Sequence, residues 1–314
     1  MVGSSIMRSF IKKGYKNIIT VDRSELDLTD EKNVRDWFSV NKPDVVILAA
    51  AKVGGIMANS RFPVEFMLEN LRIQNNVIYS SYLNKVKRFL FLGSSCIYPK
   101  SAKQPIREEE LLQAPLEKTN EAYALAKISG IKLVEYLRKE KEFDGISLMP
   151  TNLYGKNDNY TLNESHVLPA LIRKIYEAKE KNLSFIECWG TGKPLREFLY
   201  VDDLGDAAVF ALENWDPKEK KSPTDDHGNK LTYLNVGTGK DISIFELSNM
   251  LKEMIGFTGE IKWNTKKPDG TYKKQLDVSR IMKLGWDPKV KLKDGIKKTI
   301  QFFIDERNNN SIRI

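Results

Sequence analysis

The chain has 314 residues, of which 41% are hydrophobic and 29% charged, proportions typical of an ordinary globular protein. No apolar run approaches the roughly 18 residues needed to span a membrane, and no signal-peptide pattern occurs at the amino terminus. The two cysteines argue against a disulfide scaffold and suit the reducing cytoplasm. The formal net charge of +8 fits either anionic ligands such as nucleotides or a lysine-rich solvated surface, and no lysine block is long enough to predict a nucleic-acid partner.

Helices and strands alternate through the first half of the chain. Apolar periodicity and turn residues predict helices over residues 1–15, 30–40, 63–84 and 120–141, and strands over residues 18–21, 45–50, 89–92 and 146–150. Such alternation is typical of a parallel sheet covered by helices on both faces. We therefore predict an α/β fold built on a Rossmann-like doubly wound parallel sheet.

The first strand expected of such a sheet is not visible. A dinucleotide-binding domain of this type begins with a strand, a glycine-rich turn and then the first helix. This chain begins at what resembles the last glycine of that turn, Gly3, with the helix already under way. Either the natural protein begins further upstream, or the short form is genuine and binds its cofactor poorly. The presence of every downstream position favours the first explanation.

The position that contacts the cofactor's ribose is expected about 20 residues after the glycine turn. Asp22 and Arg23 stand there. Asp22 alone would suit the free ribose hydroxyls of NAD, whereas Arg23 would suit the additional 2′-phosphate of NADP. The pair favours NADP(H) as the cofactor.

Three polar side chains follow the apolar run of residues 89–92. Ser94 lies just beyond this predicted buried strand, and Tyr123 and Lys127 are four residues apart on one face of a predicted helix. An ammonium held near a phenol lowers the phenol's pKa from its usual value of about 10. With a serine hydroxyl beside it, such a pair can polarise a carbonyl while a nicotinamide delivers hydride. Without the serine, the spacing would indicate only a half-buried tyrosine and a solvated lysine.

The second half of the chain continues the alternation more loosely. Its pattern predicts helices over residues 165–181, 202–213, 243–255 and 293–303, and strands over residues 185–189 and 233–236. Residues 190–198 form a predicted turn with an arginine, Arg196, and an aromatic residue, Phe198. The turn suits a nucleotide base and phosphate or, equally, an ordinary surface turn. We predict a cofactor-binding domain at residues 1–155 and a mainly substrate-binding region at 156–314, of which about 193–215 returns to the first domain.

Six segments of the chain resemble those of one enzyme family. They are residues 49–56, 92–100, 149–155, 163–167, 196–198 and 267–271. The family is that of the GDP-L-fucose synthases, a branch of the extended short-chain dehydrogenase/reductases. Cys96, just after a serine pair, and the sequence Ser165-His166-Val167 separate this branch from the sugar-nucleotide epimerases and dehydratases that share the Tyr-x-x-x-Lys spacing.

The resemblance implies an NADPH-dependent conversion of GDP-4-keto-6-deoxy-D-mannose to GDP-L-fucose, by epimerisation at C3 and C5 and reduction at C4. It implies Cys96 as the base and His166 as the acid of the epimerisation, and Ser94, Tyr123 and Lys127 as the reducing site. A thiol and an imidazole, with ordinary pKa values of about 8.5 and 6.5, suit proton transfer near neutrality. Outside these motifs, Cys96 would indicate a small buried residue and His166 the start of a helix.

The resemblance also implies two sets of binding residues. The cofactor set is Gly3, Arg23, Leu92, Gly93, Ser94, Ser95, Lys127, Pro150, Thr151, Asn152, Leu153 and His166. The GDP-sugar set is Lys174, Trp189, Arg196 and Asp269. Lys174 replaces the arginine common at its position, and a lysine does not make the bidentate phosphate contact of an arginine. The resemblance further implies a homodimer paired through the helices at 63–84 and 120–141, and no metal.

Two other functions are compatible with the sequence. Another sugar-nucleotide enzyme, such as a 4-epimerase or a 4,6-dehydratase, would recycle its cofactor and consume no net NADPH. A non-enzymatic module that has lost its cofactor loop would only bind a sugar nucleotide. Substrate-dependent oxidation of NADPH separates the reductase from the first of these, and any turnover excludes the second.

Overall fold

The structure is a computed structural model that describes residues 1–162, 165–267 and 269–313. Its helices are α1 Val2–Lys12, α2 Glu31–Asn41, α3 Ile56–Arg61, α4 Pro63–Leu83, α5 Glu121–Lys141, α6 Val167–Glu180, α7 Val201–Asn214, α8 Ile244–Ile255, α9 Ser279–Leu284 and α10 Leu292–Asn308. Its strands are β1 Val45–Leu48, β2 Arg88–Leu92, β3 Gly145–Pro150, β4 Asn152–Tyr154, β5 Phe185–Trp189, β6 Leu195–Tyr200, β7 Tyr233–Val236, β8 Asp241–Ser243, β9 Glu260–Asn264 and β10 Lys273–Lys274. Asn163, Glu164 and Pro268 of the predicted motifs lie outside the described residues.

The central sheet consists of β1, β2, β3 and β7 in that order, with every pair parallel. Phe89, Leu90 and Phe91 of β2 are completely buried. Such burial follows from helices packed on a parallel sheet: α4 and α5 pack against the sheet and each other, and α7 packs against β2 and α1. The predicted α/β fold with a parallel sheet is confirmed. In the described part of the chain, no helix is both long enough and apolar enough to cross a membrane.

The strand predicted over residues 18–21 does not form. Ile19 and Val21 are 56% and 37% exposed, and Val45 in the edge strand β1 is 45% exposed. A strand needs a neighbour that completes its backbone hydrogen bonds. Among the described residues, neither the segment 18–21 nor the outer edge of β1 has such a neighbour. The prediction is wrong because this segment finds no pairing partner among the described residues.

A second apolar cluster is formed by residues from the carboxyl-terminal half of the chain. Tyr154, Tyr160 and Phe303 belong to it and are almost completely buried. Around it, β6 pairs with β4, β8 and β10, and β5 pairs with β9. Leu199 and Leu204, by contrast, pack in the cluster of the central sheet. The division of the chain at residue 155 stays a prediction.

A buried carboxylate fastens the central sheet to α9. Glu108 is 1% exposed, and its Oε1 accepts a hydrogen bond from the backbone N–H of Asn235 in β7 at 3.0 Å. Arg280 in α9 donates to the other carboxylate oxygen and pairs with Glu109 as well. Burial raises the pKa of Glu108, and the hydrogen bonds and charge of these partners oppose that shift.

We expect Arg280→Met to lower the free energy of unfolding by about 3 kcal/mol, because it leaves Glu108 buried without its cation. Urea denaturation at neutral pH measures the change. Arg35→Met is the control, since it breaks an exposed pair with Glu31 and should cost less than about 0.5 kcal/mol. A loss in Arg280→Met no larger than in the control would contradict this account of the contact.

Candidate active site

A cavity of about 470 Å³ lies at the carboxyl ends of β1, β2 and β3. In open parallel sheets this edge is where ligands bind. The cavity is lined by side chains from separate parts of the chain: Ser94, Cys96, Tyr123, Lys127 and His166. The structure therefore brings together all five side chains that the sequence singles out for chemistry.

Lys127 ties the first turns of α5 to the end of β2. Its Nζ donates a hydrogen bond to the carbonyl oxygen of Leu92 at 2.9 Å and lies 4.7 Å from the centre of the Phe91 ring. Lys127 is 4% exposed, and burial lowers its pKa to about 8. In most molecules the Lys127 side chain is therefore protonated at neutral pH. It gives up its proton more easily than an exposed lysine does.

Tyr123 lies one helical turn before Lys127, with the Lys127 Nζ 6.0 Å from the centre of its ring. Burial, and next the neighbouring Cys96, hold the pKa of the phenol above its ordinary value, while a hydrogen bond with Ser94 opposes the shift. The expectation that Lys127 would lower this pKa is not met, because desolvation outweighs the more distant charge. The phenol is thus protonated at neutral pH and ready to donate.

Cys96 sits in a short 3₁₀ turn that follows β2. The Ser94 hydroxyl caps this turn by accepting a hydrogen bond from the backbone N–H of Cys96 at 3.2 Å. The thiol of Cys96 is free and partly exposed, and its Sγ lies 3.9 Å from the Nζ of Lys274 in β10. Sequence reasoning missed Lys274, which stands beside another lysine in no motif that would single it out.

His166 immediately precedes α6 and lines the cavity. Its side chain is exposed at the cavity, and the protein packed around it removes enough solvation to lower the pKa of His166. The imidazole is therefore neutral at pH 7. A neutral imidazole readily accepts a proton. Here its protonated form, which can donate a proton, is stabilised only when a negative charge lies nearby.

The cofactor set implied by the sequence lines this same cavity throughout, from Gly3 to His166. α1 begins beside the cavity at Val2, and no side chain of the described residues caps its first turn. Its backbone N–H groups and helix dipole therefore favour a phosphate at that point. Arg23 is exposed and pairs with Glu69 at 3.1 Å, a weak surface contact that it can exchange for a phosphate.

Two residues of the GDP-sugar set line a second cavity of about 340 Å³ beside α6 and β5. The Lys174 Nζ donates a hydrogen bond to the backbone carbonyl of Glu187 at 2.8 Å. Trp189 exposes 46% of its surface, and the Lys267 Nζ lies 5.2 Å from the centre of its ring. An exposed indole with nearby ammonium groups suits a base and a phosphate.

Arg196 and Asp269, the other two residues of the GDP-sugar set, do not line this second cavity. Arg196 is partly buried in β6 with Cys96 and Asp269 as electrostatic neighbours, and burial lowers its pKa. Asp269 accepts hydrogen bonds from the backbone N–H of Thr191 at 2.8 Å and from its hydroxyl at 2.7 Å. The carboxylate thereby fixes the turn at Gly190, whose φ of +75° favours glycine. Asp269 therefore positions the turn that follows Trp189.

Glu197 is a completely buried carboxylate that sequence reasoning also missed. It accepts hydrogen bonds from backbone N–H groups of Thr238, Gly239 and Leu276. Its own carbonyl oxygen accepts hydrogen bonds from Asn152 at 2.8 Å and Thr151 at 3.2 Å in the cavity wall. An acidic residue directly before the apolar run Phe198-Leu199-Tyr200 of β6 was the available signal, since such a group needs several donors when buried.

Comparison with known proteins relates the chain to enzymes of sugar nucleotides. The NAD dependent epimerase/dehydratase family matches residues 1–225. The putative GDP-L-fucose synthase 2 of Arabidopsis thaliana is 50% identical, covering 97% of this chain and 89% of its own. A GDP-6-OMe-4-keto-L-xylo-heptose reductase from C. jejuni superposes with a TM-score of 0.90 at 37% identity, over 97% and 95% of the two chains. A GDP-L-fucose synthetase from Naegleria fowleri bound to NADP superposes with a TM-score of 0.85 at 27% identity, over 100% and 93%.

We expect the free energy of unfolding of the unaltered protein to rise with pH relative to the free energy of unfolding of Lys127→Met. The pKa of Lys127 is about 8 when folded and 10.5 for an ordinary lysine, so between these values the unfolded chain binds more protons. From pH 7 to pH 10 the free energy of unfolding should rise by about 2 kcal/mol relative to the variant. Urea denaturation at each pH measures it, with Lys139→Met, an exposed position of the same helix, as background. A difference that does not change with pH would contradict the buried ammonium.

Proposed function

The chain belongs to the NAD dependent epimerase/dehydratase family, and on that premise we propose that it is an NADPH-dependent enzyme that converts GDP-4-keto-6-deoxy-D-mannose to GDP-L-fucose. The conversion epimerises the sugar at C3 and C5 and reduces it at C4. One observation carries the proposal: a single cavity holds a serine, tyrosine and lysine together with a thiol and an imidazole. The first three suffice for reduction, and the last two supply the proton transfers of an epimerisation.

The residues of the cavity fit NADPH. The uncapped start of α1 suits a pyrophosphate, Arg23 suits the 2′-phosphate, and Lys127 offers donors for the nicotinamide ribose. When bound, the reduced nicotinamide supplies the hydride for C4. The similarity to a synthetase structure bound to NADP supports this assignment.

Ser94 and Tyr123 hold the C4 carbonyl oxygen of the substrate in this proposal. Burial keeps the phenol of Tyr123 protonated, so the proton is in place before the C4 oxygen becomes an alcohol. The charge of Lys127, one turn away, favours the phenolate that then forms. Because the pKa of Lys127 is about 8, the lysine can also return a proton to the tyrosine near neutral pH.

Cys96 and His166 carry the epimerisation. C3 and C5 both adjoin the C4 ketone, so polarising that ketone acidifies the proton on each carbon. The Cys96 sulfur takes the proton, and the electron pair of the C–H bond moves onto the ketone oxygen as an enolate. His166 then gives a proton to the opposite face of the same carbon. Negative charge on the enolate and diphosphate raises the pKa of the imidazole and holds that proton until it is donated.

The GDP part of the substrate is assigned to the second cavity and the adjoining strand β6. Trp189 offers a face for the base, and Lys174 offers a point charge for a phosphate. Arg196 is assigned to the diphosphate near the reacting sugar, since its electrostatic neighbours are Cys96 and Asp269. Asp269 supports the turn that follows Trp189.

A second candidate is reduction of a GDP-4-keto sugar without epimerisation. The similarity to a GDP-6-OMe-4-keto-L-xylo-heptose reductase favours this alternative. It uses Ser94, Tyr123 and Lys127 in the same way but gives Cys96 and His166 no proton transfer. The configuration of the product at C3 and C5 separates the two candidates.

We expect the protein to oxidise NADPH when given GDP-4-keto-6-deoxy-D-mannose, with GDP-L-fucose identified by NMR as the product. Tyr123→Phe should lower turnover by at least about 100-fold, because it removes the proton donor. Tyr15→Phe, which changes a 46% exposed tyrosine outside the cavity lining, is the matched control. Cys96→Ser and His166→Asn should each slow epimerisation by about 100-fold or more. A product with unchanged C3 and C5 from the unaltered protein would establish the second candidate instead.

The partner proposed for this chain is a second copy of itself, paired through α4 and α5. Each helix exposes an apolar stripe, since Val64, Leu68 and Tyr79 of α4 and Leu125 and Tyr136 of α5 are between 40% and 67% exposed. Stripes of this kind on neighbouring helices are typical of an interface.

Cys96 and Cys188 are both free thiols, which supports the cytoplasm as the location of the enzyme.

We expect Leu68→Glu to weaken the dimer by at least about tenfold, because it places a charge within an apolar interface. Sedimentation velocity across a range of concentrations measures the association. Val40→Glu, at a 78% exposed position of α2, is the control and should leave association unchanged. An unaltered protein that sediments as a monomer at every concentration would refute the proposed dimer.

A further inference from the structure

Lys274 approaches the thiol of Cys96 from a strand to which the proposed chemistry assigns no role. Its Nζ lies 3.9 Å from the Cys96 Sγ. In the part of the chain that the structure describes, this ammonium forms no ion pair with a carboxylate, unlike its neighbour Lys273, which pairs with Asp241 at 3.3 Å. Once the Cys96 thiol loses its proton, the resulting thiolate is therefore the anionic partner available to Lys274.

The backbone places a second cation beside Lys274. β10 pairs in parallel with β6, and the register sets Lys274 opposite Arg196. Residues opposite each other on adjacent strands project from the same face of a sheet. Arg196 is also an electrostatic neighbour of Cys96. Two adjacent cations repel each other, and a negative sulfur near both relieves that repulsion.

The position of Lys274 is fixed by the residues that follow it. The backbone N–H of Leu276 donates a hydrogen bond to the buried Glu197 carboxylate at 2.7 Å. The backbone N–H of Gln275 donates to the Gln104 side chain at 3.0 Å, and its carbonyl accepts from the backbone N–H of Ile106 at 2.7 Å. This anchoring holds the Lys274 backbone in place before any ligand binds.

We propose that Lys274 stabilises the thiolate of Cys96 and so prepares it as the base of the epimerisation. The role of the thiolate rests on the proposed function, but the pairing of ammonium and sulfur does not. In the reaction the thiolate takes a proton from C3 or C5 and becomes a neutral thiol, while the electron pair of the C–H bond passes to the ketone oxygen. Among the described residues, the groups that face Cys96 are Lys274, Arg196, the Tyr123 phenol and the Ser94 hydroxyl.

The test is the rate at which iodoacetamide alkylates Cys96 at pH 7 without substrate or cofactor, because the thiolate is the reactive form. We expect Lys274→Met to slow this reaction by about tenfold and Lys274→Arg to retain most of the rate. Lys273→Met is the matched control on the same strand and should alkylate like the unaltered protein. Peptide mass analysis separates Cys96 from Cys188, which is buried, and thermal unfolding confirms that each variant is folded.

An alkylation rate in Lys274→Met within about twofold of the unaltered protein would overturn the proposal. That result is expected of a lysine that only binds the diphosphate, even if turnover falls. Slow alkylation combined with lost epimerisation would support both the pairing and its use. Slow alkylation in a protein whose unaltered form never epimerises would support the pairing while refuting the proposed function.

Discussion

The hydrogen bond from the Lys127 ammonium to the Leu92 carbonyl is the contact on which the site depends. It joins the first turns of α5 to the last residue of β2, and so brings the Tyr123 phenol to the turn that carries Ser94 and Cys96. The contact requires a buried ammonium, whose desolvation is seen in its lowered pKa. The same lowered pKa is useful chemically, because it lets Lys127 pass a proton on near neutral pH.

Features with a local pattern could be predicted from the sequence. The apolar run of residues 89–92 and the four-residue spacing of Tyr123 and Lys127 are enough to place a buried strand and a helix face. Because parallel strands end at one edge of a sheet, the cavity follows from the order of strands and helices. The cofactor residues from Gly3 to His166 line that cavity as the resemblance implied, although their roles stay predictions.

Features that depend on contacts between distant segments could not be predicted. Residues 18–21 have the β-branched composition of a strand but lack a pairing neighbour among the described residues. The sequence did not predict β9, because its structure depends on pairing with β5. Lys274 meets Cys96 across a separation of 178 residues. The raised pKa of Tyr123 depends on how completely the folded protein surrounds it. A sequence pattern reports neighbours on one element, whereas burial and long-range pairing arise only when the elements pack.

Epimerisation and reduction leave different isotopic marks on the sugar, and these marks test most directly whether one cavity performs both. The measurement is the position of deuterium, by NMR and mass spectrometry, in the product formed in D₂O with NADPH. Proton transfer through Cys96 and His166 predicts solvent deuterium at both C3 and C5 of GDP-L-fucose. A reduced product without deuterium at either carbon would contradict the account, because it would show a reductase in which the thiol and the imidazole transfer no protons.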